Sequence, residues 1–154
     1  MIQKINIPYN GSGAISSALT INKFETNELL RKNGFLIAEH VLVHKAEWVK
    51  QRKEIIEGIL KEIQLPFIAK PVDDGCSSAV RKIKTLEELE AYASVLFRVG
   101  ESIEEKFRET LNISDKEDFP IKDVFLIEEL ISKKDADVFI EITGGMLTKL
   151  NSEN

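Results

Sequence analysis

Six residues between two β-forming stretches, Asp73-Asp74-Gly75-Cys76-Ser77-Ser78, carry the densest chemistry in the chain. A glycine followed by small thiol and hydroxyl side chains leaves backbone N–H groups able to face an anion, and the missing bulk lets a phosphate approach. Lys70 ends the incoming strand and supplies a point charge suited to phosphate oxygens. The same pattern also makes an ordinary polar hairpin with no ligand, since Gly-Ser turns are common. Gly11-Ser12-Gly13-Ala14-Ile15-Ser16 holds only part of a dinucleotide fingerprint. Its third glycine is missing, no strand precedes it and no Gly-Lys-Ser/Thr follows, so a flexible loop is expected there. His40 and His44 share a strand face but lack a third ligand, which makes them exposed strand histidines. Cys76 has no histidine near it in sequence to activate its thiol. Glu128 and Glu129 interrupt an apolar strand, which fits either a binding role or an acid turned to solvent.

The apolar pattern lays out the elements that must hold these groups. The first twenty residues are poor in charge and read as a loop leading into a short apolar turn. Asn22 to Asn33 is helical, with Gly34 placed for a left-handed stop. Phe35 to Val43 is rich in β-formers and predicts a strand. Ala46 to Ile63 repeats Trp48, Ile55, Ile56, Ile59, Leu60 and Ile63 at helical spacing. Strands are expected at Phe67 to Val72 and Val80 to Lys84, flanking the polar turn. Thr85 with Glu88 signals a capped helix from Leu86 to about Phe97. A further helix over Ile103 to Leu111 precedes a charged surface loop, Asn112 to Pro120. Val124 to Ile131 and Val138 to Ile142 are expected as closing strands that pair as neighbours, which makes the class α+β.

Composition narrows the function. The 154 residues support one domain or two small subdomains. With 26 acidic against 21 basic side chains the net charge is -5, which argues against sequence-independent nucleic-acid binding. One cysteine excludes an intrachain disulfide framework. No apolar run approaches the roughly 18 residues of a membrane span, and no secretory signal opens the sequence, so a cytoplasmic protein without membrane contact is expected.

Taken in order, the blocks resemble the central ATP-binding part of the ATP-grasp ligases, in particular the D-alanine–D-alanine ligase group. The resemblance rests on Gly11-Ser12-Gly13 through Ala18-Leu19-Thr20-Ile21-Asn22-Lys23, Leu65 to Pro71, Gly75 to Val80 and Leu126 to Ile131, extended by Glu141-Ile142-Thr143-Gly144-Gly145. It implies an ATP-grasp smaller subdomain, mostly antiparallel sheet with helices packed on one face. It also implies that Lys23 and Lys70 contact the phosphates of ATP, and that Gly75, Cys76 and Ser77 form a lid over them. Glu128 would accept from the adenine amino group, the backbone of Glu129 and Ile131 would meet the adenine edge, and Asp135 would bind ribose. No side chain of the chain is expected to be catalytic or to ligate metal, since the Mg2+ ligands of that group come later.

The implied reaction phosphorylates the carboxylate of one amino acid, D-alanine or another small one, and lets the amine of a second attack the acylphosphate. Residues 1–21 would be a linker, 22–143 the lid subdomain and 144–154 the start of the next. The expectation is a ligase fragment, inactive alone, whose full-length form could be a homodimer. Three features depart from the group: Cys76 replaces its usual serine, Ala79 its second lid glycine, and Phe97 to Pro120 is longer than its counterpart. A thiol is the weaker donor, and alanine resists positive φ. Two other functions remain open, a ligase for another amino acid and a non-catalytic nucleotide-binding or interaction module.

Overall fold

Strand β4 (Val124–Glu129) is the spine of a four-stranded sheet. It pairs with β1 (His40–His44) on one side and β2 (Phe67–Pro71) on the other, and β3 (Arg81–Ile83) completes the order β1-β4-β2-β3. Every pairing among the described residues is antiparallel. The structure is a computed structural model and describes residues 11–132 together with 140 and 142. The strand expected over Val138 to Ile142, the Gly144-Gly145 turn, Asp135 and the segment 144–154 lie outside, or almost wholly outside, the described residues.

Period-two alternation gives the sheet two different faces. Val43, Phe67, Ala69, Ile83, Phe125 and Ile127 turn to one side and are at most 1% exposed. Helices α3 (Lys45–Glu62, broken by a kink at Gln51, φ -142° and ψ 47°), α4 (Leu86–Leu96) and α5 (Glu105–Leu111) make the layer against them. Ile59 and Ile63 from the end of α3, and Leu89, Tyr92, Ala93 and Leu96 from α4, complete the core. Phe125 meets Tyr92 edge to face at 5.2 Å and Phe97 at 5.3 Å. The other face carries Ile68, Lys70, Leu126 and Glu128, and it is the face on which chemistry is arranged.

Local chemistry starts and stops the helices where the sequence predicts. Thr85 Oγ1 accepts from the Glu88 N–H at 3.1 Å, and Glu88 Oε2 reaches back one residue beyond the cap to accept from the Lys84 N–H at 2.6 Å; together they open α4. Helix α2 (Lys23–Lys32) is capped by Asn22, whose side chain accepts from the Glu25 N–H at 3.1 Å. It ends where Gly34 takes φ +80°, the Gly34 N–H meeting the Arg31 carbonyl at 3.0 Å and the Phe35 N–H the Leu30 carbonyl at 3.1 Å. That paired stop needs a left-handed residue, which glycine supplies at no steric cost.

Three expectations change. The apolar turn after Gly13 is a two-turn helix, α1 (Ala14–Ile21), joined to α2 by a Thr26 hydroxyl bonded to the Leu19 carbonyl at 3.0 Å. The strand predicted from Phe35 begins only at His40, which pairs Glu128 near the end of β4; Phe35 and Leu36, ahead of the paired register, are exposed. A β-forming run becomes a strand where a neighbour is there to pair with it. His40 is not an exposed strand histidine, being only 8% exposed, whereas His44 is exposed. The His40 Nδ1 lies 3.0 Å from the Ala38 carbonyl, its Nε2 3.3 Å from Glu28 of α2, and the Phe24 ring stands edge-on at 5.3 Å. Helix α2 thus crosses the sheet face opposite the core, and its packing on His40 is what buries the imidazole.

Candidate functional site

Between that second face of the sheet and the β2–β3 connection lies a cleft of about 690 Å³. Lys23, Lys70, Gly75, Cys76, Ser77, Glu128, Glu129 and Ile131 all line it. These are all the site residues expected from the sequence except Asp135, which lies outside the described residues.

Register explains the centre of the cleft. Lys70 pairs Leu126 and Ile68 pairs Glu128, so Lys70 and Glu128 are diagonal neighbours on one face, within reach of long side chains. Their ends form an ion pair, with the side chains only 19% and 15% exposed. Lys23 enters from the first turn of α2, and its ammonium donates to the carbonyls of Val72, at 3.4 Å, and of Asp74. Burial first, and then the charge of Lys70, push the Lys23 ammonium below its ordinary value. Two cations held in one cleft, one partly stripped of water, make a place where a polyanion is stabilised.

The connection over the cleft is held under backbone strain. Cys76, Ser77 and Ala79 have φ of 53°, 56° and 51°, left-handed values that cost a non-glycine residue about 1–2 kcal/mol. Two local bonds hold the shape, Ser78 N–H to the Gly75 carbonyl at 3.0 Å and Val80 N–H to the Ser77 carbonyl at 3.2 Å, and the Tyr92 hydroxyl reaches from α4 to the Ala79 carbonyl at 2.9 Å. Burial pushes the Tyr92 phenol far above its ordinary range, so it stays a donor. Cys76 is exposed, so its replacement by glycine gives up little packing while relieving strain. Cys76→Gly is expected to stabilise the chain by about 1 kcal/mol, seen in thermal unfolding as a rise of about 2–4 °C in Tm. A fall in Tm would mean that the thiol makes a contact worth more than the strain.

The sequence reading missed the anchor of this connection. Lys122, just ahead of β4, donates to Asp73 Oδ1 at 2.8 Å and to Asp74 Oδ1 at 3.0 Å, and no periodicity marks it out. The loop expected as a charged surface segment takes part as well, through Arg81 to Glu117 at 2.7 Å and with Ile113 and Phe119 buried. The hydrogen bond from Lys122 holds the Asp73 carboxyl below its ordinary 3.8. A carboxyl lowered on folding stabilises the protein fully above pH 3.8, and the contribution is lost as pH falls through the folded value. In urea unfolding, Asp73→Asn should therefore trail the parent above pH 3.8 and converge with it below. A gap that stays constant with pH would contradict the anchor. Asn27 was missed too: its Nδ2 donates to Glu128 Oε1 at 3.0 Å. Its place one helical turn after Lys23 was the available signal.

Among the described residues no group of three or more histidine, cysteine or acidic side chains gathers as for a metal ion. Asp74 Oδ2 is buried there without a hydrogen-bond partner, one acceptor beside two ammoniums, which is not a divalent-cation cage. Among the same residues no helix is long and apolar enough to cross a membrane.

Known proteins resemble this chain over most of the described region. A model of the family described as D-ala D-ala ligase C-terminus matches residues 29–114, more than half of the 154. The D-alanine–D-alanine ligase of Natranaerobius thermophilus is 37% identical over 83 residues, 54% of this chain and 23% of the relative. That of Azobacteroides pseudotrichonymphae is 35% identical over 101 residues, 64% of this chain and 29% of the relative. The chain therefore spans about a quarter of the length of the curated relatives it matches. Among solved structures, the D-alanine–D-alanine ligase of Helicobacter pylori superposes with a TM-score of 0.55 at 23% identity, over 84% of this chain and 32% of that one. The VanG D-Ala:D-Ser ligase of Enterococcus faecalis does so at 0.58 and 21%, over 84% and 30%.

Proposed function

The chain belongs to the D-ala D-ala ligase C-terminus family and has the α+β fold of an ATP-grasp ligase, and we propose that its cleft is the ATP site of a carboxylate–amine ligase joining D-alanine units for cell-wall precursors. The observation that carries this reading is the gathering of Lys23, Lys70, the Gly75–Ser77 turn and the Glu128–Ile131 strand end around one cleft. The two ammoniums and the N–H groups of the strained turn meet the triphosphate, whose charge relieves the repulsion between Lys23 and Lys70. Glu128 accepts from the adenine amino group. The Glu129 N–H donates to the Glu39 carbonyl at 2.8 Å, so the adenine edge is assigned to the Glu129 carbonyl and the Ile131 N–H. Asp135 takes the ribose. The apolar walls, Ile68, Pro71, Leu130 and Ile131, suit the purine and exclude water from it.

The described residues do not fit Mg2+, so no step is assigned to it; the ion that accompanies ATP takes its protein ligands outside them. Positioning and charge stabilisation are the whole contribution of these residues to the chemistry, as phosphoryl transfer requires. Residues 22–143 form the lid subdomain, with 1–21 leading in and 144–154 leading out. The enzyme works in the cytoplasm, and its full-length form is the place to look for a homodimer.

A second substrate reading keeps the fold and changes the amino acid. It is supported by Cys76 in the lid and by a neighbour named for D-Ala:D-Ser ligation.

Unfolding monitored with ATP and Mg2+ tests the proposal. Nucleotide at a hundred times its Kd should stabilise the chain by about 2.7 kcal/mol, and added D-alanine should release no phosphate from the 154 residues alone. An unmoved Tm at millimolar ATP would remove the ATP reading, and dipeptide formation by this polypeptide would remove the division of labour.

A further inference from the structure

Helix α2 reaches the cleft twice. Lys23 and Asn27 are four residues apart on one helical face, the first ending at the lid connection and the second at the far side of Glu128. Glu128 is thus held at both oxygens, Oε1 by the Asn27 amide at 3.0 Å and Oε2 by the Lys70 ammonium. The helix itself is fixed to the sheet next door, by Glu28 against the buried His40 and by Arg31 to Glu39 at 3.1 Å.

We propose that Asn27 is a positioning residue for base selectivity: it locks the plane of the Glu128 carboxylate so that the cleft accepts a purine carrying an amino group at position 6 and rejects one carrying an oxo group. The proposal rests on the reading of the cleft as a nucleotide site. An ionised carboxylate is an acceptor only, with about four lone-pair directions over its two oxygens. One fixed donor on each oxygen leaves the remaining directions aimed at a set place. A 6-amino group brings a donor to that place, whereas a 6-oxo group brings an acceptor against an anion, and such repulsion is what selectivity is built from. The amide orientation is imposed as well, since turning it over would set the Asn27 oxygen against the carboxylate. Without Asn27 the carboxylate has only Lys70 to hold it and can rotate about that one contact. Nothing requires Asn27 to touch the nucleotide.

The test uses Asn27→Leu, which keeps the bulk and loses the donor, and Asn27→Ala as a second variant should the first fold poorly. Dissociation constants for ATP and GTP are measured on the 154-residue chain, together with the acylation rate of Lys70 relative to Lys50 and Lys61 by a limiting active ester. The ratio of GTP to ATP dissociation constants is expected to fall about tenfold, mostly through ATP, the loss of one charge-assisted bond's orientation. Lys70 acylation should rise severalfold as its partner loosens. An unchanged ratio overturns the proposal, and so does an equal weakening of both nucleotides, which a merely structural role would give. If the parent chain binds neither nucleotide while Lys70 acylation still responds to Asn27, the ATP reading fails and base selectivity falls with it, leaving only the Asn27–Glu128–Lys70 linkage.

Discussion

Lys70→Met is expected to raise the Kd for ATP about ten- to a hundredfold while leaving the chain folded. The Lys70 side chain is only 19% exposed, and a hydrogen bond to a charged group in such a place is worth about 1.5–3 kcal/mol. Because its present partner is Glu128, the substitution acts at both ends of the proposed site, removing a phosphate contact and freeing the carboxylate assigned to the base. Glu128→Gln with Lys70→Met separates the two effects. If they act through one pair, the double variant should be weakened by clearly less than the sum of the single ones. Titration calorimetry on the four proteins supplies the comparison. A change in Kd of less than about twofold in Lys70→Met would mean that the cleft does not hold a polyphosphate, since even one net hydrogen bond is worth more.

Phe125→Ala is the opposite case, a large loss of stability with the site chemistry untouched. Phe125 is fully buried between Tyr92 and Phe97 on the core face of β4, while Leu126 and Glu128 of the same strand turn to the cleft side. Truncating such a ring costs about 3–5 kcal/mol, a large share of the roughly 5–15 kcal/mol that holds a domain together. Thermal unfolding should shift down by about 10 °C or more. The fraction that stays folded should bind ATP with unchanged affinity. A Tm within about 2 °C of the parent would mean that the core repacks around the hole or that β4 is not the spine of the sheet. Together the two substitutions separate the two faces of a single sheet.

The legible parts of the fold were those written in local pattern. The helical stripe from Trp48 to Ile63, the Thr85–Glu88 box and Gly34 after α2 each depend on residues within one or two turns, and all three appear where expected, apart from a break in the helix at Gln51 that the stripe does not mark. Less legible was whatever depends on a distant partner. Phe35 to Glu39 looks like a strand by composition, but β1 starts where β4 pairs with it. His40 looks exposed until α2 closes on it, and Lys122 looks like any surface lysine until the fold brings Asp73 and Asp74 to its ammonium. The candidate site lies between these extremes. Its residue types were visible as blocks, while their convergence follows from the diagonal register of Lys70 against Glu128 and from the entry of α2 over the sheet. Ala79 is instructive in the same way. The sequence marks it as a residue that resists positive φ, yet it adopts 51°, tied by the Tyr92 hydroxyl to the core below.

Amide NMR of the 154-residue chain titrated with ATP tests the central claim most directly, because it reports position as well as affinity. The account predicts that the largest shifts fall on Lys23, Lys70, Gly75 to Ser77 and Glu128 to Ile131, with little movement on α4 and α5 behind the sheet. Shifts centred elsewhere, for instance on His44 to Lys50 at the other end of the sheet, or no saturable shifts at millimolar nucleotide, would contradict it.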